Sequence, residues 1–255
     1  MGVTNIRVYA ILTACILVTA YFLFPIVLPP KLEFRERAFP RGFRELVLDS
    51  ASSQIDPHFG MKQSLSAASK LNAREVCDAL FRDPTSPAAG KRESQLQIVA
   101  FLDYRCPYCK KLSTILSQMQ NEKARIVYKE WPILGDSSVL AAQAGLAADK
   151  QGKYLAFHTR LMNSRLIPTV AYIEEIAADL GMNRSQLRMD MNSVITAHAI
   201  QRTSALASTL SLVGTPALIV GRTIVQGEIT RRELERLIEN ETQQPEKPCE
   251  EQKAG

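Results

Sequence analysis

Hydrophobic positions fall into three patterns along this chain. The first is an uncharged run over residues 8–28, closed by Pro29-Pro30 and long enough at helical rise to cross the hydrocarbon core of a bilayer. The second is strand-like: short apolar runs rich in β-branched and aromatic residues occupy 97–103 and 124–129, and a hairpin turning at Gly221 joins 217–220 to 222–226. The third is helical spacing. Leu112, Ile115, Leu116 and Met119 recur at i, i+3, i+4 and i+7, and similar periods mark 137–150, 152–163, 169–180 and 184–210, the last broken near Asn192. Gly181 is placed as a helix C-cap. Thr230-Arg231-Arg232-Glu233 is a capping box that opens a final helix through Leu234, Leu237 and Ile238.

This order predicts an α/β fold in which strand, helix, strand, helical block, hairpin and helix follow one another. The expected boundaries are a transmembrane anchor at 1–30, a tether, amphipathic helix and linker at 31–94, a main domain at 95–241 with a helical insertion at about 136–211, and a disordered tail at 242–255. Within the tether a short helix is expected near 43–48. The helix at 65–81, with Leu71, Val76, Leu80 and Phe81 as its apolar positions, either packs on the domain or pairs with copies of itself, so residues 61–82 are a possible homo-oligomer contact. Residues 83–94, rich in Pro, Ser, Gly and Ala, read as a linker.

Composition narrows the function little. The chain has 255 residues, enough for one large domain and an appendage, and its net charge of +5 is spread among acidic residues without an aromatic-interleaved basic stripe, which argues against nucleic-acid binding. A cleaved signal peptide is the weaker reading of 8–28, because the apolar stretch exceeds a usual signal core. Leu12-Thr13-Ala14-Cys15 resembles a lipoprotein cleavage box, yet the residues after Cys15 stay apolar, as a helix interior requires. Orientation sets two arguments against each other. Lys31, Arg35, Arg37 and Arg41 follow the span and only Arg7 precedes it, which points the body toward the cytoplasm. A thiol-disulfide site is most useful in an oxidising compartment, which places the body on the non-cytoplasmic side.

The chemistry centres on Cys106-Pro107-Tyr108-Cys109. The four residues follow a strand and open a helix, so Cys106 sits where orphan backbone N–H groups and the positive end of the helix dipole favour a thiolate. Pro107 suits the first helical position. Arg105, Lys110 and Lys111 add positive charge if they turn toward the sulfur, and are otherwise a solvated rim. Structural zinc needs two further ligands, and Cys15, Cys77 and Cys249 form no second close pair. No metal or other cofactor is expected. Cys77 and Cys249 are expected as free thiols, a disulfide between them being the alternative, and His158 and His198 as structural residues on helices.

A CxxC after a strand, Gly214-Thr215-Pro216-Ala217 before a hairpin, and a closing amphipathic helix together resemble the thioredoxin fold. The intervening helices make the chain similar to the DsbA family of bacterial disulfide oxidoreductases, and segments 101–110, 129–135 and 214–217 resemble its Com1-like and ScsC-like membrane-associated members. The resemblance covers about 81–240. It implies that Pro216 is a cis proline facing the CxxC, and that Thr215 leaves backbone free to bind an extended substrate. It also implies a nucleophilic, exposed Cys106 and a more buried, resolving Cys109. Many relatives carry an acid six positions before the first cysteine; Ala100 stands there, which leaves water, Lys129 or Glu130 to serve Cys109, although both charged residues read more simply as solvated strand ends.

The expected function is thiol-disulfide exchange on cysteine-containing proteins, with oxidation favoured over isomerisation or reduction, and with a redox partner that resets the pair. The expected location is the bacterial inner membrane, single-pass, with the catalytic domain in the periplasm. Rival readings are a Cu(I)-binding thiol protein, which lacks a nearby Met or His motif, and a redox-inactive oligomeric adaptor.

Overall fold

Two central strands organise the molecule because their side chains are apolar on both faces. Leu96–Leu102 (β4) and Ala124–Glu130 (β5) pair in parallel and are buried almost throughout, as strands covered on both sides must be. The computed structural model describes residues 31–48, 71–119, 124–243 and Cys249. Its other strands are Glu33–Glu36 (β1), Arg44–Val47 (β2), Ala88–Ala89 (β3), Ala217–Val220 (β6) and Thr223–Gln226 (β7), in one sheet of order β1-β2-β7-β6-β4-β5-β3. β6 runs antiparallel to both β4 and β7, and β2 is parallel to β7. The helices are Ala73–Phe81 (α1), Pro107–Gln118 (α2), Asp136–Lys150 (α3), Tyr154–Met162 (α4), Val170–Asp179 (α5), Arg184–Met191 (α6), Val194–Thr209 (α7) and Arg231–Gln243 (α8). Helices α3 to α7 form the block between β5 and β6, while α8 packs on β4 and β6.

Several expectations for the flanking segments are corrected. Residues 43–48 are not a helix: Arg44 and Leu46 are buried while Val47 is exposed, a period of two, and the open edge of β7 supplies backbone partners that a four-residue helix lacks. Arg44 is held across the sheet by Glu241 at 2.6 Å and Thr223 at 2.8 Å. The tether therefore contributes strands to the main sheet. Residues 83–94 are no linker either. Asp83 gathers Thr85 and Ser86 into a turn, and β3 then pairs antiparallel with β5 at the sheet edge. Gly90 is at φ +93°, and a Cβ there would lie 2.8 Å from the Ala124 carbonyl oxygen.

Helix α1 begins at Asn72, which forms a reciprocal capping box with Glu75. Its apolar stripe of Val76, Cys77 and Leu80 is buried among Phe43, Val99, Phe101, Leu206 and Leu210 of the same chain. Of the two arrangements expected for this helix, its described part takes the first and packs on the domain; residues 61–70 lie outside the described residues. At its C-terminal end α8 continues to Gln243, and Cys249 forms a disulfide with Cys77 across 172 residues; the rest of the tail expected at 242–255 lies outside the described residues. Both were expected as free thiols. Among the described residues no helix is long and apolar enough to cross a membrane, and residues 8–28, with Cys15, lie outside them.

Candidate active site

The CxxC occupies the place where β4 gives way to α2. Cys106 is the N-cap in extended conformation, and Pro107 takes the first helical position, where its missing N–H costs no hydrogen bond. The turn before it is locked by Asp103, whose carboxylate accepts from the N–H groups of Arg105, Ile133 and Leu134 and from the Ser138 hydroxyl at 2.7–3.0 Å. One buried carboxylate thus ties the loop to the 131–135 segment and to the start of α3. The Asp103 N–H points at Cys109 Sγ at 3.5 Å.

The structure brings Thr215 and Pro216 to the same point from the far half of the chain. The Thr215–Pro216 bond is cis, and the Cys106 thiol donates to the Thr215 carbonyl oxygen at 3.2 Å. Cys109 is fully buried, and Cys106, expected to be exposed, is itself only 4% exposed; Pro107 and Tyr108, the latter 45% exposed, are the outward members of the motif. Neither lysine aims at the sulfur. Lys110 donates to the Ser164 carbonyl oxygen, whereas Lys111 pairs with Glu228 at 2.9 Å and lies over the Tyr108 ring.

The two thiols are driven apart in acidity. A hydrogen bond from the Cys109 thiol is the largest influence lowering the Cys106 pKa to about 6, against the opposing effect of burial, with the Cys109 and Tyr108 amides and Thr215 adding to it. Burial pushes Cys109 well above the usual thiol range, and its neighbour Cys106 adds to the rise. The arrangement yields one thiolate at neutral pH and one protonated thiol beside it.

Lys129 and Glu130 are each 2% exposed, not solvated. Lys129 pairs with Asp83 at 3.0 Å and donates to Ser86 at 2.6 Å, facing away from the cysteines toward α1. Glu130 belongs to a buried polar cluster that sequence reading missed. Tyr104 and Tyr154 donate to Glu130 Oε1 at 2.9 and 2.7 Å, both hydroxyls contact His158 Nδ1, and His158 Nε2 lies 2.9 Å from Ser113 Oγ. Burial raises Glu130 to about 8 and lowers His158 to about 3. A charged pair ending an apolar strand was the one visible signal. Trp131 packs edge-on against Phe101, as a strand-end aromatic should. Among the described residues no group of three or more His, Cys, Asp or Glu is placed to hold a metal ion.

Comparison with known proteins agrees with this geometry. The Thioredoxin family model matches residues 82–240. A thioredoxin-like oxidoreductase from Silicibacter pomeroyi DSS-3 is 36% identical, superposes with a TM-score of 0.61, and is matched over 95% of its length and 64% of this chain. The catalytic domain of Proteus mirabilis ScsC is 28% identical with a TM-score of 0.61, covering 99% of that chain and 68% of this one. A probable disulfide bond formation protein D from Bacillus anthracis is 25% identical over 156 residues, 72% of its length and 55% of this chain. Fold and site define a thiol-disulfide oxidoreductase of the DsbA and ScsC type. The chain belongs to the thioredoxin family.

Proposed function

We propose that Cys106 is the nucleophilic cysteine and Cys109 the resolving one, and that the pair works chiefly as an oxidant of cysteine-containing proteins. The observation that carries this reading is the contact of Cys106 Sγ with Thr215 O at the cis Thr215–Pro216 bond, which puts the backbone of this turn beside the reacting sulfur. An extended substrate segment docks along Thr215 and Pro216. Its thiolate attacks Cys106 Sγ of the Cys106–Cys109 disulfide, and the electron pair of that bond leaves on Cys109. A second substrate thiolate then attacks the substrate sulfur, forming the substrate disulfide and releasing Cys106 as a thiolate. A low Cys106 pKa stabilises the reduced enzyme, which favours oxidation of substrate over reduction. A redox partner must reoxidise the pair.

The uncharged run at 8–28 supports a single-pass anchor in a bacterial inner membrane, with the domain on the periplasmic side, where disulfides persist. The decisive experiment is cysteine trapping: Cys106→Ser abolishes exchange, and Cys109→Ser accumulates mixed disulfides on Cys106. If the second variant captures no substrate, the assignment of roles is wrong. The reduction potential of the pair then separates oxidase from reductase, a value near those of strong oxidants supporting the proposed direction.

A further inference from the structure

The turn that carries Thr215 and Pro216 to Cys106 is gripped from outside, by side chains that the exchange chemistry does not use. It leaves α7 through Ser211, a non-glycine residue in the left-handed region at φ +52°, a conformation that persists only where the surroundings hold it. The amides of Ser211 and Leu212 turn back onto the Ser208 and Ala207 carbonyl oxygens and close the helix. Beyond Leu212 the chain belongs to no helix or strand until β6 begins at Ala217.

Two residues at the C-terminal end of β7 take hold of that stretch. Gly227 donates its N–H to the Pro216 carbonyl oxygen at 2.9 Å, and Gln226 Oε1 accepts the Val213 N–H at 2.9 Å. Gly214 and Thr215 lie between these fixed points, and Thr215 O is the atom 3.2 Å from Cys106 Sγ.

The Gln226 amide is itself held. Its Nε2 donates to Glu45 Oε1 at 2.8 Å, on the neighbouring strand β2. A backbone N–H can only donate and a carboxylate can only accept, so Val213 and Glu45 demand the same orientation of the Gln226 side chain. Glu45 Oε2 accepts from Arg37 Nη1 at 3.2 Å, and Arg37 Nη2 donates to the Leu210 carbonyl oxygen at 2.8 Å. Leu210 and Val213, at the two sides of the left-handed Ser211, are thus gripped by opposite ends of one Arg37–Glu45–Gln226 clamp. The Arg37 and Glu45 side chains are only 15% and 23% exposed, so solvent and salt screen this pair less than a free surface pair.

We infer that Gln226, fixed by Glu45 and Arg37, is a positioning residue for substrate: it holds the 213–216 turn in the shape that receives an extended polypeptide beside Cys106. The inference rests on the docking proposed along Thr215 and Pro216. It gives residues 37–45 a part in substrate binding although they precede the matched region at 82–240. A polypeptide uses the turn, whereas a thiol without a backbone needs only access to the sulfur. Loosening the turn lowers the fraction of molecules whose docking surface is formed, and the apparent affinity for polypeptide falls by that fraction.

The test compares two reductants of the oxidised full chain, an unstructured peptide carrying two cysteines and 2-mercaptoethanol, with each rate normalised to thiolate. Gln226→Glu keeps an acceptor for Val213 but sets its carboxylate against that of Glu45. The ratio of the peptide rate to the 2-mercaptoethanol rate should fall about tenfold, the order of one hydrogen bond lost from the docked state. Adding Glu45→Gln restores a donor opposite the new carboxylate, and the ratio should return to within about threefold of the original. A ratio left unchanged by Gln226→Glu, including the case in which both reductants slow alike as the urea midpoint drops, marks a merely structural role and overturns the inference. A ratio that Glu45→Gln does not restore overturns it too. If Gln226→Glu does not fold, Gln226→Leu, which removes both hydrogen bonds, is held to the same tenfold fall of about one hydrogen bond, and an unchanged ratio there is equally fatal. Failure of Cys109→Ser to trap the same peptide would instead refute the parent reading.

Discussion

Removing the Cys109 thiol should raise the pKa of Cys106 in a way that identifies what stabilises its thiolate. The Cys109 side-chain hydrogen bond is the largest of the influences holding Cys106 at about 6, against 9.0 for an ordinary thiol. A hydrogen bond to a charged group is worth about 1.5–3 kcal/mol, which is about one to two pK units. Cys109→Ala should therefore move the midpoint to about 7–8, whereas Cys109→Ser, which keeps a donor, should move it by less than about one unit. The assay is the pH dependence of Cys106 alkylation by iodoacetamide. The midpoint is the readout, because nucleophilicity rises with pKa and partly conceals the change in rate at one pH. A midpoint that stays at about 6 in Cys109→Ala would transfer the stabilisation to the amides of the helix terminus and to Thr215. The same shift has a redox consequence. A folded pKa depressed from 9.0 to about 6 stabilises the reduced protein fully above pH 9, and this is lost as pH falls through about 6. At pH 7 it amounts to about 1.4 kcal/mol, or about 30 mV toward a more oxidising pair.

Gly145→Ala should destabilise the fold by about 1–3 kcal/mol, as overpacking does, because its methyl group meets Tyr104 and Glu130; denaturant midpoints measure it. Replacing Cys77 and Cys249 by Ser opens a loop of 172 residues, for which loop-closure entropy predicts a loss of about 5 kcal/mol, read by thermal unfolding of the oxidised protein. Glu241→Ala leaves Arg44 buried without its carboxylate and strips acceptors from Thr223 and the Arg222 amide, so it should cost about 3–5 kcal/mol in urea unfolding.

Much of the architecture was legible because it is local. Apolar runs at 97–103 and 124–129 are β4 and β5 within a residue, since central strands covered on both faces leave an unbroken apolar signature. The Thr230–Glu233 capping box does open α8, and Gly181 does take positive φ after α5, because each signal is a hydrogen bond or dihedral written within a few residues. The CxxC at a helix start was equally plain. What misled were segments whose structure depends on distant partners. Arg44–Val47 is a strand only because β7 has an open edge, Ala88–Ala89 only because β5 does, and Cys77 finds Cys249 only once α1 is packed.

By itself, the sequence determined the redox pair, the order of the main elements and a thiolate-favouring position for Cys106. Tertiary structure alone decided what surrounds the pair: Thr215 against Cys106, lysines turned away from the sulfur, and a buried polar cluster of Ser113, His158, Tyr104, Tyr154 and Glu130. The physical reason is that these contacts depend on burial and on partners distant in the chain, 109 residues between Cys106 and Thr215 and 26 between Tyr104 and Glu130, separations over which no periodicity or short motif carries information.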